Sequence, residues 1–202
     1  MKVSFCIICY DKDAHLVGRL LRDLKNQTSC PDEVIVVASG MTELKVEDAD
    51  VKVYTFQDRM LPNKARNKAA SLSSADIICL SDVDDTPHPQ KIEVVRKVFE
   101  YENVDALVHN YNMNDTNFSV IENLVDIEKI IEKEPYIHST NIMPPSRLPV
   151  HHAHITARSK VFEDVKGPEH MNFGEDGMFC RGILDSGYNF YYTKHNLISY
   201  SC

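Results

Sequence analysis

The chain has 202 residues, 43% of them hydrophobic, and a formal net charge of −8. That length and content suit one globular domain with its own core. The acidic balance argues against nucleic acid or an anionic membrane as the main partner, and no apolar stretch approaches the ~20 residues of a membrane span.

The first half reads as strands alternating with helices. Residues 3–9 form an apolar run that suits a first buried strand; no small-residue cleavage site follows it, so it is not read as a leader. Cys6 and Cys9 make a C-x-x-C, but residues three apart on a strand face opposite ways. They are therefore read as neither a disulfide nor a metal pair. All six cysteines are read as reduced, and the compartment as cytoplasmic. Tyr10-Asp11-Lys12-Asp13 is a turn in which Asp11 or Asp13 caps a helix over 14–27, where Leu16, Leu20, Leu21 and Leu24 recur at helical spacing. Residues 33–37 and 51–56 are the next strands, the former ending at Ala38-Ser39-Gly40. Pro62 opens an Ala-rich helix through Ala70. Residues 76–80 are a fourth strand, 90–100 a helix with Ile92, Val95, Val98 and Phe99 inward, and 106–111 a fifth strand. This alternation predicts an α/β fold: a mostly parallel central sheet, right-handed crossovers and helices on both faces. The turn after the first strand holds no glycine, which argues against a nicotinamide site.

The second half is less regular. Residues 120–134 carry apolar and charged residues in a roughly helical rhythm. Residues 135–149 hold four prolines and read as a long loop. In a strand over 150–157, His152 and His154 share a face, as a metal pair or as the polar rim of a cleft. Ser159 caps a short helix over 160–166 that stops at Gly167-Pro168. Glu175 and Asp176 open a helix through Leu184; by themselves they also suit ordinary helix-start chemistry. Residues 189–193 and 197–201 read as two short strands.

The most informative stretch is Ser81-Asp82-Val83-Asp84-Asp85. The apolar run Ile77-Ile78-Cys79-Leu80 leads into three carboxylates within four residues. Unpaired ions are costly to bury, so the strand is expected to end there, with Pro87 and Pro89 preventing its continuation. In open α/β sheets, ligands sit outside the carboxyl ends of strands. Repelling carboxylates held at that place call for a hard divalent cation, although the same triplet also suits a solvated turn before the next helix.

Taken in order, Arg66-Asn67 in the Ala-rich helix, Asp82-Val83-Asp84 after a buried strand, and Gly174-Glu175-Asp176 about ninety residues further on resemble glycosyltransferase family 2. These are nucleotide-sugar-dependent enzymes of the GT-A fold, and the resemblance covers nearly the whole chain. It implies a single domain, 1–202, with a nucleotide-sugar-binding half (1–111) and an acceptor-binding and catalytic half (112–202). It implies a metal-dependent, inverting transfer from a nucleotide-sugar, a UDP-sugar foremost, to an acceptor hydroxyl on a glycan, lipid or protein. In that frame Asp82 contacts the ribose or the metal shell, and Asp84 ligates Mn²⁺ or Mg²⁺. Arg66 contacts the donor together with Tyr10, Asp11 and Ser39. Asp176 is the general base with Glu175 beside it, and His195 resembles a histidine that reaches the metal or diphosphate in some GT-A enzymes.

The chain departs from the family at Ala38-Ser39-Gly40-Met41, where acidic residues are usual, and at Cys9-Tyr10-Asp11, where Pro-x-Tyr-Asn is common. No Gln-x-x-Arg-Trp is present, which argues against a processive polysaccharide synthase. Two rival readings are a nucleotidyltransferase, for which the basic glycine-rich triphosphate loop is missing, and a non-catalytic nucleotide-binding domain. The sequence leaves the acceptor and the oligomeric state open.

Overall fold

The computed structural model describes residues 1–101, 103–122, 124, 126–133, 155–171 and 174–201. The strands are β1 (Val3–Tyr10), β2 (Glu33–Ser39), β3 (Val51–Phe56), β4 (Ile77–Asp82), β5 (Thr86–Pro87), β6 (Ala106–Met113), β7 (Glu132–Lys133), β8 (Ile155–Arg158) and β9 (Phe190–Tyr200). They join one sheet in the order β3-β2-β1-β4-β8-β6-β9-β5, with β7 also paired to β9. The pairs among β3, β2, β1 and β4 are parallel, as is β6 with β9. β8 runs antiparallel between β4 and β6, so it splits two parallel sets.

Seven of the eight β1 residues are buried, as expected for a strand covered on both faces. Phe5, Ile7 and Cys9 face a core shared with α1 (Val17–Lys25) and α3 (Lys91–Glu100). Cys6 and Ile8 face the opposite core, shared with α2 (Pro62–Leu72), α4 (Ser159–Asp164) and α5 (Glu175–Asp185). The two halves of the C-x-x-C thus lie on opposite faces. Cys6, Cys9, Cys30, Cys79 and Cys180 are free thiols, and burial pushes Cys6 and Cys9 up to about 12. No helix among the described residues is long and apolar enough to cross a membrane.

Several local expectations change. Neither Asp11 nor Asp13 caps a helix through its side chain: Asp11–Leu16 is a 3₁₀ segment, and α1 begins only at Val17. Ser159 is the first residue of α4 rather than its cap. Residues 120–133 contain no α-helix among those described. Ile121, Ile130 and Ile131 are separate anchors into the α1/α3 core, the last two lying between a 3₁₀ turn at Ile127–Lys129 and β7. The two short strands expected at the end are one strand, bulged where Lys194 and His195 fall between the β6 partners Thr193 and Asn196. The proline-rich loop over 135–149 and the pair His152 and His154 lie outside the described residues.

The topology fixes where a ligand can sit. From β1 the chain winds to β2 and β3 on one side, then returns to place β4 on the other. Two crossovers departing in opposite directions open a crevice at the carboxyl ends of β1 and β4. Register puts Tyr10 beside Ser39, Ser39 beside Phe56, and Ile8 beside Asp82, so these strand ends share one edge of the sheet.

At the opposite edge Glu33 ties β2 to the α2–β4 connection. Its carboxylate accepts hydrogen bonds from Lys52 Nζ at 2.6 Å, Ser73 Oγ at 2.9 Å, and the Ser74 N–H and Oγ at 3.1 Å each. Burial alone would raise its pKa; the hydrogen bonds outweigh burial and hold it down to about 2. A depressed acid stabilises the fold above its ordinary value of 4.5, and that contribution is lost as pH falls towards 2. Glu33→Gln should cost about 1–3 kcal/mol at pH 7. Its deficit should shrink on acidification, as read from urea melts across that range.

Candidate active site

The site is built around Arg66. On α2, Ala65, Ala69 and Ala70 are buried against the sheet, and their small side chains bring the helix close to it. Arg66 lies in the same buried stripe and is 7% exposed. Its Nη2 donates to both carboxylate oxygens of Asp82, at 3.0 and 2.9 Å. Its Nη1 lies 3.7 Å from Glu175 Oε1 and 3.7 Å from Asp176 Oδ1. One guanidinium therefore gathers three carboxylates from two distant segments, leaving negative charge in excess. This also explains why β4 runs on through Asp82, two residues beyond the end expected at Leu80: the aspartate has a buried cation as partner.

The second segment is placed by glycine and asparagine. Gly174 has φ 73°, a left-handed backbone that suits glycine, and turns the chain sharply into α5. Glu175 and Asp176 occupy the first turn of α5, where the helix dipole favours carboxylates. Asn67 anchors the preceding loop: its Nδ2 donates to Gly167 O at 2.9 Å, and its Oδ1 accepts from Gly167 N at 3.1 Å. Asn63 Nδ2 donates to Pro168 O at 3.3 Å. A Cβ on Gly167 would lie 2.6 Å from Asn63 Nδ2, so any side chain there would prise the latch open. Asn63 and Gly167 were not singled out for this role in the sequence, although the Asn-x-x-Arg-Asn spacing inside a helix is their visible signal.

At the end of β1 the Tyr10 hydroxyl is buried without a hydrogen-bond partner. Burial raises its pKa, and Arg66 and Arg59 partly counter that. The Arg59 guanidinium lies 4.9 Å from the centre of the Tyr10 ring. Arg59 and the Asp11 carboxylate both flank Gly40. Arg59, absent from the sequence-based set, thus joins Tyr10 and Asp11. Ser39 is used differently: it is fully buried, and its Oγ accepts from the Met60 N–H at 2.7 Å, tethering the loop before α2.

The acid loop carries the strongest electrostatic tension. Burial, then Asp82, raises the pKa of Asp84. Burial, then Asp82 and Asp84, pushes Asp85 up to about 8. Neither Asp85 oxygen has a well-formed hydrogen bond, and the Ser201 N–H beside the carboxylate lowers its pKa only in part. The buried Lys91 ammonium, over the Phe5 ring at 5.4 Å, offsets this only in part. Three carboxylates crowded at one strand end are a fitting donor set for a hard divalent ion. Such an ion is often held by one or two carboxylates, with phosphate oxygens and water completing its shell. Asp82 and Asp84 suit that two-carboxylate arrangement. Among the described residues no group of three or more His, Cys, Asp or Glu side chains is placed to hold a metal ion, His195 with Asp82 and Asp84 included. His195, within the β9 bulge, lines a cavity of about 250 Å³ together with His88, Asn112, Asn117, Phe118 and Lys194.

Removing the guanidinium tests this arrangement. Arg66→Met leaves Asp82, Glu175 and Asp176 without their shared cation, and should destabilise the fold by about 3–5 kcal/mol at pH 7. Denaturant melts of both proteins at pH 7 measure it.

The model of the family described as Glycosyl transferase family 2 matches residues 4–166. The O-antigen chain rhamnosyltransferase RfbN of Salmonella typhimurium is 24% identical over 223 residues, covering 100% of this chain and 67% of that protein. The glycosyltransferase alr2836 of Nostoc sp. is 24% identical over 130 residues, covering 60% of this chain and 40% of that one. Among solved structures, S. aureus TarS 1–349 in complex with UDP-GlcNAc superposes with a TM-score of 0.73 at 18% identity, covering 100% of this chain and 59% of TarS 1–349. The UDP complex gives 0.71, with 61% of that chain covered. The chain thus spans 67% or less of the length of each of these proteins. The structural likeness shows the fold, a mixed α/β GT-A architecture with a mostly parallel central sheet. The family match runs over most of the sequence and includes Arg66 and the acid loop: the chain belongs to glycosyl transferase family 2.

Proposed function

We propose that this chain transfers a sugar from a nucleoside-diphosphate sugar, a UDP-sugar by preference, to an acceptor hydroxyl, with inversion at the sugar carbon. The observation that carries the reading is the convergence of Asp82, Glu175 and Asp176 on Arg66. It sets a donor-side acid and a candidate base around one cation at the carboxyl edge of the sheet. The names of the relatives support the class, and TarS bound to UDP and UDP-GlcNAc supports the donor. The free thiols accord with a reducing compartment such as the cytoplasm.

Tyr10, Asp11 and Arg59 form the nucleoside end of the donor pocket, with Ser39 holding the loop behind them. Asp82 takes the ribose or the shell of the metal. Asp84, with Asp82, is suited to hold Mn²⁺ or Mg²⁺, which supplies positive charge to the departing diphosphate. Arg66 keeps Asp82 in register and balances the acids of α5 while the donor is bound. Asp176 is more exposed than the buried Glu175 and so is the one an acceptor can reach. The acceptor oxygen forms a bond to the sugar carbon as the bond to the diphosphate breaks. The electron pair leaves with the diphosphate, and the acceptor proton passes to Asp176. Glu175 stays beside it as a fixed negative charge that favours the oxocarbenium-like carbon.

Two variants separate these roles. UDP with Mn²⁺ should raise the melting temperature of the parent, and Asp84→Asn should abolish the Mn²⁺-dependent part of that shift while the ligand-free melt stays close to the parent. An unchanged shift would rule out Asp84 as ligand. Asp176→Asn keeps size and polarity but accepts no proton. Donor affinity should persist while single-turnover transfer falls by roughly 10²–10⁴. A rate within a few-fold of the parent would return Asp176 to helix-start chemistry.

A further inference from the structure

We propose that Arg19, on α1, is a positioning residue that holds the acid loop ready for a cation. The proposal rests on the reading above that this loop carries the metal and the donor diphosphate. Arg19 lies beside the buried stripe Val17, Leu20, Leu21 and Leu24, which fixes α1 to the core. Its Nη2 donates to the backbone carbonyls of Val83 at 3.1 Å, Asp84 at 2.9 Å and Asp85 at 3.0 Å. Its Nη1 donates to Thr86 Oγ1. Four consecutive residues therefore meet on one side of one guanidinium. Consecutive carbonyls converge on a point only if the chain is wound into a tight turn, and a planar fork of donors matches that turn as a point charge does not.

What Arg19 leaves alone matters as much as what it binds. It takes main-chain oxygens and the Thr86 hydroxyl, and no carboxylate oxygen of Asp82, Asp84 or Asp85. Arg66 does the opposite and occupies both oxygens of Asp82. Arg19 thus brings positive charge up to three crowded acids without consuming the atoms that would ligate a metal. It turns the carbonyls towards α1 and fixes where the chain leaves β4 for β5, whose Thr86 and Pro87 pair with Ser199 and Ile198. Asp23, one helical turn on, adds its charge beside the guanidinium. A plain brace for α1 would need none of this directionality.

The test uses the full chain with Arg19→Met and Arg19→Lys, and the probe is UDP with and without Mn²⁺, titrated by calorimetry. In the parent, Mn²⁺ should tighten UDP binding. In Arg19→Met that metal-dependent gain should fall by about 10- to 100-fold, as expected when a partner behind a metal site is lost. Binding of UDP without metal should stay within about two-fold of the parent, well inside the 1.4 kcal/mol that marks a tenfold change. Arg19→Lys keeps the charge but cannot span all four acceptors, so it should lose affinity in the same direction. If the parent shows no Mn²⁺-dependent gain, the reading of the acid loop fails and this proposal with it. If the parent shows the gain and Arg19→Met keeps it, even with a lowered melting temperature, Arg19 is only a brace and the proposal is overturned. Should the Met variant not fold, the Lys variant decides: affinity equal to the parent overturns the proposal, and a several-fold loss of the metal-dependent gain upholds it.

Discussion

A buried guanidinium shared by three carboxylates is the constraint on which the rest of the site depends. Arg66 is carried on a helix, Asp82 closes a strand, and Glu175 and Asp176 open another helix more than ninety residues later. None of these groups is tolerable alone at its depth, because an unpaired buried ion costs several kcal/mol. Together they are tolerable, and the arrangement forces α2, β4 and α5 into one mutual placement. The Asn67–Gly167 latch acts in the same direction. It binds the neighbour of Arg66 to the chain that leads into Gly174, so that the cation and its second group of acids are positioned by adjacent residues of one helix.

The sheet supplies the rest. Parallel strands β1, β2 and β4 bring their carboxyl ends to one edge, while the reversed β8 lets β6 and β9 continue the sheet without a further parallel crossover at that point. The crevice between the ends of β1 and β4 is therefore flanked by Tyr10 and Asp11 on one side and by the acid loop on the other. Two arginines serve that crevice in different ways. Arg66 neutralises through carboxylate oxygens, and Arg19 through main-chain carbonyls. The first holds distant segments together, and the second shapes one short segment.

Much of this was legible in the sequence. Strands β1 to β4 and β6, and the helices between them, follow from apolar runs and helical spacing, whereas the two-residue β5 at Thr86–Pro87 falls where the prolines argue against a strand. The family resemblance implies Arg66 and Asp82 as separate contacts to the donor, and Glu175 and Asp176 as acids at a helix start; that Arg66 pairs with these acids comes only with the structure. What stayed hidden was tertiary in origin. Residues 120–133 show a helical rhythm, yet Ile121, Ile130 and Ile131 serve as isolated anchors, a distinction that only the packed core makes. The reversed β8 has no signature, because strand direction is not written in a four-residue run. The β9 bulge that holds His195 depends on the pairing of β9 with β6. In the sequence Arg19 is one of several polar positions on an amphipathic helix, and Arg59 stands in a loop with no motif around it. Their partners are main-chain oxygens and a ring, which leave no complementary charge in the sequence to be noticed.

The two ends of the sheet have a consequence for how the chain behaves in a crowd. A sheet that ends in a free strand offers unpaired amides to any neighbour, the usual starting point of strand-by-strand aggregation. Here one end is β5, only two residues long and half of it proline, which has no amide hydrogen to offer. The other end is β3, whose Lys52 is held by Glu33 and whose flanks carry Asp48, Asp50 and Asp58. An intruding strand would have to strip water from those charges before it gained its first main-chain bond. The fold keeps its sticky, doubly covered strands in the interior and shows neighbouring molecules a stub and a charged rim. Among the described residues, the sheet therefore offers an intruding strand little free main chain at β5 or β3.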